Sequence, residues 1–188
     1  QGSAASLTQI PAANIVGVCT AGLGNASGAF GQGKILQVVS TTKTDTASNS
    51  TSSNTFWDYT AFNAQITTTG SNKVLVQVSV SYAVTNANRI SMRLRKDGAT
   101  VSGAVGSSVS SRTAVTSAEL HDYGGSLVTT NSFVYLDSPS AGTHTYNIAF
   151  KHSSGSTKTL YINRSPDDND NYSYFRPVST ITLMEVAA

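Results

Sequence analysis

The stretch Lys73 to Thr85, KVLVQVSVSYAVT, decides the class of the fold. Its even positions are Val74, Val76, Val78, Val80, Tyr82 and Val84, six in succession, with Gln77, Ser79, Ser81 and Ala83 on the other side. A period of two is the signature of a pleated strand that turns one face to a core and the other to water. The next segment, Arg89 to Lys96, repeats the pattern with Ile90, Met92 and Leu94 against Arg89, Ser91, Arg93 and Arg95. Asp97-Gly98 follows, a pair that tolerates positive φ and so predicts a two-residue hairpin turn.

The same alternation runs outward from this centre. Tyr146, Ile148 and Phe150 share one face, and the loop SSGSTK after His152 predicts a second hairpin that returns into Thr159 to Asn163. Further strands are expected at Ile35 to Lys43, at Phe56 to Thr69 with an interruption, at Arg112 to His121, at Ser126 to Leu136 and at Val178 to Val186. No stretch carries apolar residues at i, i+3, i+4 and i+7, the stripe of an amphipathic helix. About ten short strands separated by Ser, Gly and Asn turns imply an all-β protein, an antiparallel sandwich or barrel.

Composition agrees with this class. Ser and Thr make up 52 of the 188 residues and charged residues only 12%; Thr is β-branched and favours strands, and hydroxyls keep an outward face hydrated without charge. The formal charge of +2 is too small and too dispersed for a protein that binds nucleic acid through its phosphates. The single cysteine, Cys19, excludes an intramolecular disulfide framework and a Cys-based zinc site. No run of eighteen apolar residues is present, so no membrane-inserted helix is expected.

The first charged side chain is Lys34, and Gly22 to Gly33 reads GLGNASGAFGQG, with five glycines and no apolar alternation. Residues 1–33 are therefore expected to form an extended glycine-rich stem or linker, and residues 34–188 a compact head.

Few residues offer the groups that catalysis or metal binding needs. His144 and His152 lie eight residues apart on one expected strand, about 26 Å at 3.3 Å per residue, too far to share a metal ion. With His121 they are expected at the surface or at loop ends. His121-Asp122 has no Gly-x-Ser-x-Gly elbow to work with, so no catalytic residue is assigned and no enzyme is expected. Trp57, in an apolar stretch, is expected in the core.

The most distinctive polar segment is SPDDNDNYSYF, Ser165 to Phe175. Asp167, Asp168, Asn169, Asp170 and Asn171 offer oxygen ligands of the kind calcium accepts. An EF-hand loop counted from Asp168 would need Gly at its sixth position and Glu at its twelfth, where Ser173 and Ser179 stand. A solvated turn without a cofactor is the preferred reading, with Ca2+ at Asp167 to Asn171 as its alternative. Carboxylates and amides beside aromatic rings also suit sugar recognition. Asp167, Asp168, Asn169 and Asp170 would then hydrogen-bond hydroxyls, while Tyr172 and Tyr174 stack on apolar sugar faces. The alternative for these rings is to plug the end of the sandwich. Arg89, Arg93 and Arg95, on one strand face, could meet phosphate or carboxylate groups or make contacts between subunits; a plain solvated face explains them as well.

Four phrases carry a resemblance: IPAANIVG at Ile10 to Gly17, GKILQVVSTTKTDT at Gly33 to Thr46, LYINRS at Leu160 to Ser165 and STITLMEV at Ser179 to Val186. With them the chain, from about Leu7 to its end, resembles the C-terminal modules of tailed-bacteriophage structural proteins of the tail-fibre and receptor-binding-tip kind. The resemblance implies a jelly-roll sandwich similar to C1q and TNF-like heads, assembled as a homotrimer. It also implies a virion location, with the N-terminal stem joined to other virion proteins and the head bound to a host surface polysaccharide. A capsid decoration or head-fibre protein, a carbohydrate-binding module of a secreted enzyme and a polysaccharide depolymerase are the alternatives.

Overall fold

The computed structural model describes residues 33–52, 54–85, 88–121 and 127–188. Apart from Gly33, whose N–H donates to the Ala187 carbonyl at 3.0 Å, the expected stem lies outside the described residues.

The protein is all-β, with eleven strands among the described residues: β1 (Ile35–Lys43), β2 (Ala47–Thr51), β3 (Trp57–Thr69), β4 (Lys73–Val84), β5 (Asn88–Lys96), β6 (Ala99–Thr100), β7 (Ser117–His121), β8 (Thr129–Asp137), β9 (Ala141–His152), β10 (Lys158–Ile162) and β11 (Ser179–Val186). They form two antiparallel sheets. In the first, β1, β11, β4, β10 and β2 follow one another, and β8 pairs with the other edge of β4. In the second the order is β3, β9, β5, β6, and β7 joins β5.

Val74, Val76, Val78, Val80, Tyr82 and Val84 are fully buried, as are Ile90, Met92 and Leu94 from the opposing sheet. With Tyr146, Ile148, Phe150, Ile181 and Leu183 they belong to one cluster. Each buried aliphatic side chain removes enough apolar surface from water to contribute about 2 kcal/mol. Between β5 and β6, Asp97 (φ 51°) and Gly98 (φ 76°) are both left-handed, the backbone that matches the right-handed twist of a two-residue hairpin. The expected interruption in β3 is a register shift between Tyr59 and Asn63, where Thr60 and Ala61 both face solvent. Trp57 is half-buried at the margin of the core, its ring 4.6 Å from Tyr59 and 6.0 Å from Phe150.

The structure corrects the sequence reading at several points. β9 and β10 are not a hairpin: β9 pairs with β3 and β5, whereas β10 pairs with β2 and β4. The SSGSTK loop therefore carries the chain from one sheet to the other. β2, with the polar sequence ASNST, shows no alternation and was not expected; it is a strand because β10 offers it a paired edge, with Ser50 bonded to Thr159 at 2.8 Å. Strand structure in the Arg112 to His121 segment begins only at Ser117. Ser81 and Ala83, on the outward side of β4, are nevertheless buried; the chain before β11 reaches Ser81, whose hydroxyl bonds Thr130 Oγ1 at 2.8 Å and the Val178 carbonyl at 3.3 Å.

His144 and His152 are also buried rather than superficial. His144 sits between Asp97 Oδ2 (2.7 Å from Nδ1) and the Ser140 carbonyl (3.0 Å from Nε2). His152 Nε2 meets the Thr51 carbonyl at 2.8 Å, and its Nδ1 accepts the Ser154 N–H at 3.3 Å. Polar contacts on both ring nitrogens are what make their burial tolerable.

Candidate functional site: the Ser165 to Phe175 loop

The loop between β10 and β11 begins at a buried hinge. Asn163, directly after β10, is in the left-handed region (φ 57°), which asparagine adopts more readily than most residues, and its side chain is fully buried. Its amide donates to the Lys43 carbonyl at 2.8 Å and the Asp45 carbonyl at 3.0 Å, and its Oδ1 accepts the Ser179 hydroxyl at 2.6 Å. The Ser179 oxygen in turn accepts the Ser81 N–H at 2.9 Å. Both ends of the loop are thus tied to one buried network, which sequence reasoning missed because its members are separated by up to 136 positions, Lys43 to Ser179.

Beyond the hinge the loop is ordered by its own polar groups. The Asp168 N–H donates to Ser165 Oγ at 3.2 Å, the Tyr174 N–H to the Asn171 carbonyl at 3.0 Å, and the Ser173 N–H to Asn171 Oδ1 at 3.0 Å. Asp168 accepts a two-pronged bond from Arg176, Nε at 3.0 Å and Nη2 at 2.7 Å, and Arg164 Nη1 stands 3.7 Å away. Fork-on-carboxylate geometry fixes orientation as well as charge. Arg164 also lies over the Tyr161 ring, 4.3 Å from its centroid. Of the proposed ligands, Asp168 is therefore already committed to two arginines, a role no reading of the loop in isolation assigns. The bracketing of the acidic run by Arg164 and Arg176 was the available signal.

Asp167, Asn169, Asp170 and Asn171 remain exposed. Tyr172 is 92% exposed and Phe175 73%, whereas Tyr174 is half-buried, its hydroxyl accepting the Asn169 amide at 3.2 Å. Tyr172 does not plug the sandwich. Asp168, Asn169, Asp170, Asn171, Tyr174 and Arg176 line one open depression. Chemically the loop presents amide and carboxylate groups beside exposed rings, with its two ends tied to the buried Asn163 and Ser179 network.

The arginine strand is engaged differently. Arg93 donates through Nε to the Ala114 carbonyl at 2.8 Å and its guanidinium sits 4.2 Å from the Phe56 ring centroid. Arg95 pairs with Asp58 (3.1 Å) and bonds Thr100 Oγ1 at 2.8 Å and the Gly98 carbonyl. Arg89 is exposed. The three share a face as expected, but two of them brace neighbouring segments of their own sheet.

Among the described residues no three His, Cys, Asp or Glu side chains converge as a metal site would require. His144 has a carboxylate partner in Asp97, yet its other nitrogen faces a carbonyl where a Ser-His-Asp set would hold the serine hydroxyl. Among the described residues no helix is long and apolar enough to cross a membrane.

The chain matches no protein-family model and no curated protein. Among solved structures it is similar to a chain in the structure of infectious bursal disease virus, Gx strain, at 14% identity and a TM-score of 0.42. The match covers 80% of this chain and 40% of that one, so the chain spans about two fifths of that protein's length.

Proposed function

We propose that this chain is a non-enzymatic structural protein of a bacteriophage particle, a trimeric fibre tip whose jelly-roll head binds a host surface glycan through the Ser165 to Phe175 loop. The observation that carries the reading is Tyr172, 92% exposed on a loop whose two ends are anchored in the buried Asn163 and Ser179 network. An exposed aromatic ring beside amides and carboxylates serves sugar recognition, because the ring stacks on an apolar sugar face while the polar groups bond hydroxyls. A loop already held in place loses little conformational freedom on binding. Three linked copies would multiply a weak single-site affinity.

The jelly-roll assignment is supported by strand order. Omitting the short β2, β6 and β10, the sheets reduce to β1, β11, β4, β8 and β3, β9, β5, β7, two four-stranded antiparallel layers as an eight-stranded jelly roll requires. In this reading the chain needs no metal or cofactor.

The test is binding of the labelled chain to an array of bacterial surface polysaccharides and to the host cells they come from. Tyr172→Ala is expected to weaken binding about tenfold or more, the loss of one well-placed aromatic contact, with an unchanged melting temperature. Undiminished binding by that variant removes the loop from the reading. Release of reducing ends from any polysaccharide would identify a depolymerase, and a monomeric glycan binder would identify an enzyme-borne module.

A further inference from the structure

The two sheets present different outer faces. On the second sheet, the outward side of β3, β9 and β5 carries Asp58, Arg93, Arg95 and Lys151, held by ion pairs and hydrogen bonds. On the first, the register aligns three rows across four strands: Val38, Met184, Leu75, Leu136; then Ser40, Thr182, Gln77, Val134; then Thr42, Thr180, Ser79, Ser132. None of these twelve positions is charged. Val134 is 60% exposed, Val38 56% and Leu136 45%, so the apolar members form a contiguous exposed patch rather than scattered surface residues. Patches of this kind on otherwise hydrophilic proteins mark interaction surfaces.

From this face we infer that the outer side of the β1, β11, β4, β8 layer is where this chain packs against further copies of itself. The inference rests on the oligomeric part of the proposed function and assigns the surface that carries it. Charge is the first argument for a like partner. A basic or acidic protein would find nothing to pair with among the twelve positions, whereas two such faces meet without stranding a charge away from water. Hydroxyl groups supply the second. Ser40 is bonded to Thr182 at 2.9 Å and Ser132 to Ser79 at 3.1 Å within the face, so those four hydroxyls keep a partner when water leaves, which lowers the polar penalty of drying the face. Extent is the third. Four strands at about 4.8 Å by the six residues that three rows take up, at about 3.3 Å each, give a flat area of roughly 400 Å2. The corrugated accessible surface is larger, so the twelve positions supply a large part of the roughly 800 Å2 per partner of a stable interface.

The experiment is light scattering after size exclusion on the full chain, with sedimentation across a concentration series. The parent chain is compared with Val38→Lys/Val134→Lys, with Val134→Lys alone and with Gln65→Lys, a change on the exposed side of the second sheet. Val38 and Val134 are more than half exposed, so the substitutions leave the core untouched, and circular dichroism melts check that each variant is folded. The parent is expected to run as an oligomer and Gln65→Lys to match it. Val134→Lys is expected to weaken association about tenfold, and the double variant about a hundredfold or more, to a folded monomer. A folded double variant that keeps the parent mass overturns the choice of face and leaves the oligomeric reading standing. A parent that stays monomeric at about a hundred times the micromolar range overturns both, and leaves the face to a different protein. Glycan binding by that monomer would still stand apart from either result, since the Tyr172 loop is tested separately.

Discussion

Replacing Asn163 tests whether the recognition loop is held by its buried hinge. Asn163→Ala removes three side-chain hydrogen bonds, to the Lys43 and Asp45 carbonyls and from the Ser179 hydroxyl. At about 1 kcal/mol net for each, the loss is about 3 kcal/mol. Alanine keeps asparagine's Cβ clash at φ 57° and loses the polar side chain that makes asparagine tolerate it, which costs about 1 kcal/mol more, for a total near 4 kcal/mol, a large share of the 5 to 15 kcal/mol typical of a folded domain. Asn163→Gly removes the same bonds without the clash, so it should be the milder change by about 1 kcal/mol. The assay is urea unfolding followed by the fluorescence of Trp57, the only tryptophan, at one fixed protein concentration because association shifts apparent stability. A double-mutant cycle with Ser179→Ala should return a coupling of about 1 kcal/mol. A cost below about 1 kcal/mol for Asn163→Ala, or a glycine variant less stable than the alanine one, would refute the hinge.

Two other perturbations follow from the geometry. Gly70 turns β3 into β4 at φ 85°, and a Cβ there would stand 2.5 Å from the Ala141 backbone nitrogen; Gly70→Ala is expected to cost about 2 to 3 kcal/mol in a thermal or chemical melt, and a neutral result would contradict the packing of that turn. The His144 pair should make stability depend on pH. Hydrogen bonding to Asp97 raises the imidazole above its ordinary 6.5, outweighing burial, so its contribution is complete below pH 6.5 and fades as the pH climbs through the higher folded value. For Asp97, burial pushes the carboxyl up, but the bonds from His144 and the Thr145 N–H hold it below 3.8, so its contribution disappears only in acid. Melting temperatures of the parent should fall from slightly acid toward alkaline pH more than those of His144→Gln; parallel curves for the two would show the pair to be inert.

The legible part of the fold was the part set by local alternation. Lys73 to Thr85 announces its buried face because valine at every second position can satisfy only a pleated strand, and all six of its even-numbered residues are buried. The Asp97-Gly98 turn was equally readable, since both residues tolerate the positive φ that the hairpin needs. β2 was not legible: Ala47 to Thr51 has no hydrophobic period, and its pairing with β10 depends on residues more than a hundred positions away. In the candidate site, the exposed rings and acidic groups could be picked from composition. The engagement of Arg95 by Asp58, 37 positions away, could not, because a charged side chain reads the same in sequence whether it meets water or a counterion.

Side-chain periodicity by itself determined that this protein is built of antiparallel strands with one wet and one dry side, because hydrophobic burial acts on each strand locally. Which strands share a sheet was decided only in three dimensions: the edge of β4 is divided between β11 and β10. The choice of which outer face is charged and which is bare is likewise tertiary, for it depends on register between strands, and register aligns residues that the chain itself keeps far apart.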